Sequence, residues 1–323
     1  MNMLGGALGL VIHNLKIKIT SSSLEDMEKF RGIIPPVVTP FDEDGNVDYD
    51  LFREEVKRII DVGVNGIAIG GSTGEGHTLS DGEFMRLIEL AIEVRGRRNF
   101  LVIAGIITNS VHQVVERALG IKNLNVDALM ITPPHYLFNA GDEGNYVFYK
   151  EIYEKTKLPI IIYNVVPWNV VSVNVIEKLA KEGVIVGIKQ SGGNIHVLAD
   201  LLVKVRNVPI LTALDDMLFP SFIMGSSGSI AAINTLLPRT SVRLFNAVAN
   251  ADYETARSIH EELLPIARFV IMQPDMPTRL KFVMNNAGWR VGYPRKPLLP
   301  KPPQDIVGKL QEISRQVQVL ERE

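Results

Sequence analysis

Eight short runs of apolar and β-branched residues recur along the chain, each separated from the next by a stretch that can form a helix. The runs begin about 25–35 residues apart, which is the length of a βαβ unit. Because they are apolar at successive positions, they predict strands buried on both faces of a parallel sheet. The predicted strands are 33–38, 66–70, 100–105, 128–132, 159–163, 185–189, 209–213 and 228–232.

The number of strands favours a closed barrel, because an open doubly wound sheet usually has only five or six strands. We predict an α/β fold, a (β/α)8 TIM barrel with a C-terminal helical appendage. The helices expected between strands are 49–62, 81–94, 110–124, 144–156, 173–182, 195–205 and 216–224, and those expected after the last strand are 241–249, 253–272, 277–286 and 304–320.

Three parts are predicted along the chain. Residues 1–28 are read as an N-terminal extension, with Met27 as an alternative start. Residues 29–250 are predicted to form the catalytic barrel, and residues 251–323 a C-terminal helical region.

Composition excludes several kinds of function. The chain has 34 Lys and Arg against 36 Asp and Glu, so it lacks the basic excess that nucleic acid or an anionic membrane surface attracts. It has no cysteine, which excludes a disulfide, a thiolate nucleophile and a Cys-ligated metal. No segment approaches the roughly 18 apolar residues of a membrane span. We expect a cytoplasmic protein that binds neither nucleic acid nor membrane.

The second predicted strand runs into the hexapeptide GSTGEG at 71–76. Glycines permit tight turns, and successive N–H groups near a helix start can hold an anion. The adjacent hydroxyls of Ser72 and Thr73 add donors that can hold a carboxylate and pass protons. The alternative is an ordinary glycine-rich turn between a strand and a helix.

Two further strand ends carry reactive groups. The fifth strand ends in Tyr163 and the sixth in Lys189, and neighbouring strands of a barrel bring these side chains together. Desolvation lowers the pKa of a lysine in general, and the neutral amine is the form that attacks a carbonyl. Alternatively, the tyrosine packs at the rim and the lysine is ion-paired or extends into solvent. Together with the hydroxyls, the two residues favour Schiff-base chemistry on a 2-oxo acid.

Other polar residues give weaker indications. His77 and His135 lie in loops near the predicted site, but no HExxH-like spacing indicates a metal. Asp215 and Asp216 follow the seventh strand and could bind a cation, although such residues more often cap the next helix. We therefore predict no metal site.

At these residues the sequence resembles the dihydrodipicolinate synthase and N-acetylneuraminate lyase family of class I aldolases. The resemblance covers nearly all of residues 30–302. Its anchors are GIIPPVVTPF at 32–41, GSTGEG at 71–76, ITPPHY at 131–136, IIIYN at 160–164, GIKQSGGN at 187–194 and GYPRKPLLP at 292–300.

The resemblance implies roles for the reactive residues. Lys189 matches the Schiff-base lysine, and Tyr163 matches the tyrosine that carries protons to and from the substrate oxygen. Ser72 and Thr73 match the hydroxyl pair that holds the 2-oxo acid carboxylate, with Ser72 also in the proton relay. In the family, no cofactor takes part in this chemistry.

The resemblance also implies an assembly. Tyr136 aligns with a second relay tyrosine that reaches the neighbouring subunit's site, so we expect a homo-oligomer, a dimer of dimers. Ile230 lies where a backbone carbonyl often faces the substrate.

One loop departs from the family pattern. Synthases commonly carry an arginine shortly after the Tyr-Asn pair to hold the second substrate's carboxylate, and here that place is Asn169, preceded by the bulky Trp168. A neutral amide cannot form the bidentate charged pair of an arginine. We therefore predict a Schiff-base lyase, an aldolase or dehydratase acting on pyruvate or a 2-keto-3-deoxy sugar acid. The alternatives are 4-hydroxy-tetrahydrodipicolinate synthase and a non-catalytic 2-oxo acid binding protein.

Overall fold

The structure is a computed structural model, and it describes residues 21–192 and 194–322. Of the predicted extension 1–28, residues 1–20 lie outside the described residues, whereas Ser21–Lys29 form helix α1. The alternative start at Met27 falls inside this helix.

Eight parallel strands form one barrel, which confirms the predicted fold class. From β2 to β8 each strand pairs with the next one along the chain, and β1 pairs with β8. On the other side, the segment just after β1 meets β2 through a bridge between Pro36 and Ala68. The strands are β1 Gly32–Ile33, β2 Gly66–Ile69, β3 Leu101–Ile106, β4 Ala128–Ile131, β5 Ile160–Asn164, β6 Gly187–Gln190, β7 Ile210–Thr212 and β8 Gly228–Ser229.

Helices follow the strands on the outside of the barrel. Those that follow β1 to β7 are α2 Tyr49–Ile60, α3 Asp81–Arg95, α4 Val111–Gly120, α5 Gly141–Thr156, α6 Val173–Lys181, α7 Ile195–Lys204 and α8 Leu218–Ile223. Those that follow β8 are α9 Ile233–Leu236, α10 Pro238–Ala249, α11 Tyr253–Ile266, α12 Met276–Asn286 and α13 Gln304–Leu320.

Some predicted elements are shorter than their sequence pattern suggests. The strand predicted at 33–38 ends at Ile33, because Pro35 and Pro36 have no N–H to continue the ladder. The helix predicted at 253–272 ends at Ile266 and continues as a π-helical turn, Ala267–Ile271. Pro265 near its end removes a backbone donor, which favours this change of hydrogen-bond pattern.

Strand alternation decides which side chains enter the barrel. On β5, Ile160 and Ile162 pack outward against the helices, whereas Ile161 and Tyr163 belong to the inner core. On β6, Ile188 packs outward, so the next residue, Lys189, points inward. Successive residues of a strand face opposite sides, and this places a phenol and an amine inside the barrel.

No helix within residues 21–192 and 194–322 combines the length and the apolarity that crossing a bilayer requires.

Candidate active site

Tyr163 and Lys189 lie side by side at the carboxyl ends of β5 and β6. They are register partners in the parallel pair, and both are almost completely buried, at 4% and 3% exposure. The Nζ atom of Lys189 lies 3.7 Å from the centroid of the Tyr163 ring. An ammonium over an aromatic face is favourable, and the same geometry brings the amine beside the phenol.

Ser72 completes this group from the loop after β2. The Tyr163 hydroxyl donates a hydrogen bond of 3.0 Å to Ser72 Oγ. The loop folds back so closely on β2 that a Cβ atom at Gly76 would lie 1.8 Å from the Gly70 carbonyl oxygen, so this turn requires glycine. Thr73, next to Ser72, is 4% exposed. The structure thus brings Lys189, Tyr163 and Ser72 together, as the sequence predicts.

A polar network lies directly behind these strand ends. The Asn164 amide donates to Val171 O and Gln190 Oε1, and it accepts from Val171 N. Gln190 in turn donates to the Gly192 carbonyl. These bonds join the loops after β5 and β6 and fix the orientation of both strand ends. The spacing of residues along the chain gives no signal for this network, although Asn164 and Gln190 directly follow Tyr163 and Lys189.

Asp215 lies after β7 and accepts a 2.8 Å hydrogen bond from Ile233 N, at the start of α9. Burial raises the pKa of its carboxyl to about 6, and the positive charge of Lys189 offsets part of that rise. Asp216 forms an ion pair with Arg268 at 3.3 Å. Neither side chain caps α8, whose first residue is Leu218, so the capping interpretation is wrong for that helix.

No group of three or more potential metal ligands occurs among the residues that the structure describes. His77 is exposed, and His135 has a lowered pKa because of burial and the nearby His77. Ile230, just beyond β8, is completely buried in the inner core.

Two other predicted site residues lie apart from this group. Tyr136 is 67% exposed on the loop after β4, and Asn109 holds its backbone N–H. Asn169 is completely buried, and its amide accepts from Asn145 Nδ2 at 2.9 Å and donates to Pro134 O at 2.8 Å. In the described parts of the chain, neither side chain is hydrogen bonded to Lys189, Tyr163 or Ser72.

The fold and this group of side chains point to one class of protein: a (β/α)8 barrel with a buried lysine and tyrosine side by side at the carboxyl ends of adjacent strands. Comparison with known proteins is consistent with it. The family model described as the dihydrodipicolinate synthetase family matches residues 29–315. The chain belongs to this family, and the protein is a lyase of the class I aldolase type.

Individual relatives share the fold over most of their length. An uncharacterized DapA-like lyase of Pyrobaculum arsenaticum is 33% identical, over 84% of this chain and 93% of that protein. A 4-hydroxy-tetrahydrodipicolinate synthase of Methanothrix thermoacetophila is 27% identical, over 84% and 92%. The crystal structure of dihydrodipicolinate synthase from Aquifex aeolicus superposes with a TM-score of 0.83 at 28% identity, covering 89% of this chain and 98% of that chain. The predicted family is confirmed.

Proposed function

We propose that the protein is a Schiff-base-forming lyase that acts on pyruvate or another 2-oxo acid, such as a 2-keto-3-deoxy sugar acid. The observation that carries this proposal is the grouping of a buried amine and a buried phenol with a partly buried hydroxyl. Lys189 Nζ lies over the Tyr163 ring, and the Tyr163 hydroxyl is bonded to Ser72. The Lys189 side chain is 3% exposed, so water is largely excluded from the reacting nitrogen.

In the proposed reaction, the neutral Lys189 amine attacks the C2 carbonyl of the 2-oxo acid. The nitrogen–carbon bond forms, the carbonyl oxygen takes up protons and leaves as water, and a protonated iminium remains. Tyr163 exchanges protons with that oxygen. Its hydrogen bond to Ser72 connects the phenol to a second hydroxyl, so that the two groups form a proton relay. In dehydration, the C3 proton leaves, the iminium accepts the electrons of the C3–H bond, and the resulting enamine expels the C4 hydroxyl as water. In aldol cleavage, the C4 hydroxyl loses its proton and becomes a carbonyl while the iminium accepts the electrons of the C3–C4 bond. Hydrolysis of the remaining imine then releases the product and restores the Lys189 amine.

The loop 71–76, which we call the carboxylate cradle, is proposed to hold the substrate's acid group. Ser72 and Thr73 supply hydroxyl donors. The backbone carbonyl of Ile230 is proposed to face the substrate from the β8 side. The Asn169 amide already has protein partners on both sides, so a substrate contact there requires it to exchange them.

Reductive trapping tests the proposal. Incubation with pyruvate and borohydride is expected to add a reduced pyruvyl group to Lys189, detectable by peptide mass spectrometry. The peptide that contains Lys281, a second buried lysine, serves as the internal control and stays unmodified. A protein that forms no adduct with pyruvate or other 2-oxo acids contradicts the mechanism.

The second candidate activity is synthesis of 4-hydroxy-tetrahydrodipicolinate, which the names of several relatives favour. The buried neutral Asn169, in place of an arginine, argues against it. Formation of that product from pyruvate, measured beside pyruvate release from a panel of sugar acids, separates the two activities. Adduct formation without turnover of any compound would instead indicate the non-catalytic binding protein.

We also propose that Tyr136 acts in the site of a neighbouring subunit within a cytoplasmic dimer of dimers. Tyr136, Leu137 and Phe138 form an exposed apolar run at the barrel face that carries the site. Mixing the Lys189→Ala and Tyr136→Phe variants tests this. In a mixed dimer, one site combines the intact Lys189 of one subunit with the intact Tyr136 of the other, so activity should be partly restored. Activity that is not restored on mixing, or full activity in a monomer, contradicts the proposal.

A further inference from the structure

The carboxylate cradle is held from its outer side by residues that lie more than one hundred positions further along the chain. We infer that the buried ion pair between Glu75 and Lys281 positions the cradle, so that both are positioning residues for binding the 2-oxo acid. The inference rests on the proposed function, because it assigns a role to the loop that carries Ser72 and Thr73.

Glu75 is the point at which the cradle is fixed. It is completely buried and has a φ of 53°, a left-handed conformation that a non-glycine residue keeps only when its surroundings impose it. Its Oε1 accepts from Lys281 Nζ at 2.6 Å, and its Oε2 accepts from Arg295 N at 2.8 Å. Both carboxylate oxygens are therefore engaged by the region that follows the barrel.

Lys281 uses all three of its protons at this point. Besides Glu75, its Nζ donates to Thr39 O at 2.6 Å and to Tyr293 O at 2.7 Å. The Thr39 hydroxyl donates to Gly74 O at 2.7 Å, so the chain after β1 also holds the cradle. The Nζ atom of Lys281 on α12 thus links three parts of the chain: the cradle, the segment after β1, and the segment between α12 and α13.

The two charged side chains of Glu75 and Lys281 are almost completely removed from solvent. Lys281 and Glu75 are each 1% exposed as side chains. Burial lowers the pKa of Lys281 to about 8, and the carboxylate of Glu75 opposes that fall, so the ammonium is mostly protonated at neutral pH. Removing one partner leaves an uncompensated buried charge, whereas removing both leaves none.

The difference between the single and double variants distinguishes an effect on substrate binding from an effect on the stability of the fold. In Lys281→Met and Glu75→Gln, we expect the KM for pyruvate in the trapping or turnover assay to rise about tenfold or more, with a smaller change in kcat. Both variants also unfold at lower urea concentration. In the double variant, stability recovers because no unpaired charge remains, but the KM stays raised because the link from the Glu75 turn to α12 is lost.

An ion pair on α2, with a buried carboxylate and a partly exposed guanidinium, provides the control. Glu55 and Arg58 form two hydrogen bonds of 2.8 Å, and their side chains are 1% and 18% exposed. Glu55→Gln and Arg58→Met are expected to lower stability with the KM for pyruvate unchanged. A rise in KM equal to that of the Lys281 variant would show that lost stability alone weakens binding, and would overturn the inference.

The double variant decides the question even if the single variants fail to fold. A KM that returns to the wild-type value in Glu75→Gln/Lys281→Met would show that the pair only stabilises the fold, and the inference fails. Thr39→Val, which removes only the bond to Gly74 O, is expected to raise the KM by a smaller factor. Failure of the proposed function is distinguishable, because it appears as absence of the pyruvate adduct in the wild-type protein.

Discussion

Two lysines of this barrel are almost equally buried and have opposite surroundings. Lys189 is 3% exposed on the inner face of β6, where its Nζ lies over the Tyr163 ring, and no hydrogen bond from it occurs within residues 21–192 and 194–322. Lys281 is 1% exposed on α12, where its Nζ donates to three oxygen atoms between 2.6 and 2.7 Å away.

Burial alone cannot explain the reactivity proposed for Lys189, because Lys281 is buried as deeply. Lys281 has a pKa of about 8, yet each of its protons is bonded within the protein. A nucleophile needs a free lone pair and space for the carbonyl. The Nζ atom of Lys189 lies against an aromatic face and not against carbonyl or carboxylate oxygens, which supports its proposed role.

The largest effect is expected from Lys189→Met. Activity should fall below detection, because the proposed iminium cannot form without the Lys189 amine, while the free energy of unfolding should stay constant or rise as a buried amine is replaced by an apolar side chain. Turnover of 2-oxo acids and urea unfolding measure the two quantities. A large loss of stability in this variant would mean that both lysines are structural.

Lys281→Met is expected to give the reverse result. The buried carboxylate of Glu75 and two carbonyl oxygens lose their donor, which should cost about 3–5 kcal/mol of unfolding free energy. Equilibrium unfolding in urea measures this loss, and pyruvate trapping at Lys189 should still occur at saturating pyruvate. A variant with wild-type stability contradicts the structural assignment of this lysine.

Tyr163→Phe tests the aromatic neighbour of Lys189. The ring remains to pack against the amine, but the hydroxyl that donates to Ser72 is lost. We expect kcat to fall by about 10²–10³-fold with little change in stability, since proton transfer contributes that much. Ser72→Ala in the same background should add little to the loss of kcat, because the two hydroxyls act as one relay, although it should raise the KM through the lost donor to the substrate carboxylate. Independent, multiplicative losses would argue against the relay.

The sequence predicts the surroundings of Lys189 well. Apolar runs at regular spacing identify β5 and β6, and strand alternation with parallel register then places Tyr163 beside Lys189. These are local signals combined with one rule of barrel geometry. The extent of β1 was overestimated because the apolar pattern continues through Pro35 and Pro36, which cannot donate to a ladder.

The burial and the ion pair of Lys281 could not be predicted in the same way. Its ion pair joins residues 206 positions apart, and no periodicity relates them. A lysine between Leu280 and Phe282 in α12 looks like an ordinary helical residue until packing shows that it is buried. Asn169 illustrates the same limit, since its place in the loop resembles a substrate contact while its amide is bonded to Asn145 and Pro134.

The smallest effect is expected at Asp215, which is the carboxylate near Lys189 as Glu75 is the carboxylate near Lys281. Glu75 is bonded to Lys281, whereas Asp215 is bonded to a backbone N–H and has its pKa raised to about 6 by burial. A carboxyl that binds its proton more tightly in the folded state adds stability below its unfolded pKa and loses it as pH rises through about 6.

Asp215→Asn keeps the acceptor for Ile233 N and removes this pH dependence. The variant should match the wild type near pH 4 and exceed its unfolding free energy by about 1–3 kcal/mol at pH 7. Urea unfolding at several pH values measures the difference. In the Lys189→Met background the gain should be larger, because the charge that lowers the Asp215 pKa is gone. An unchanged difference in that background would mean that Lys189 carries no charge that Asp215 senses.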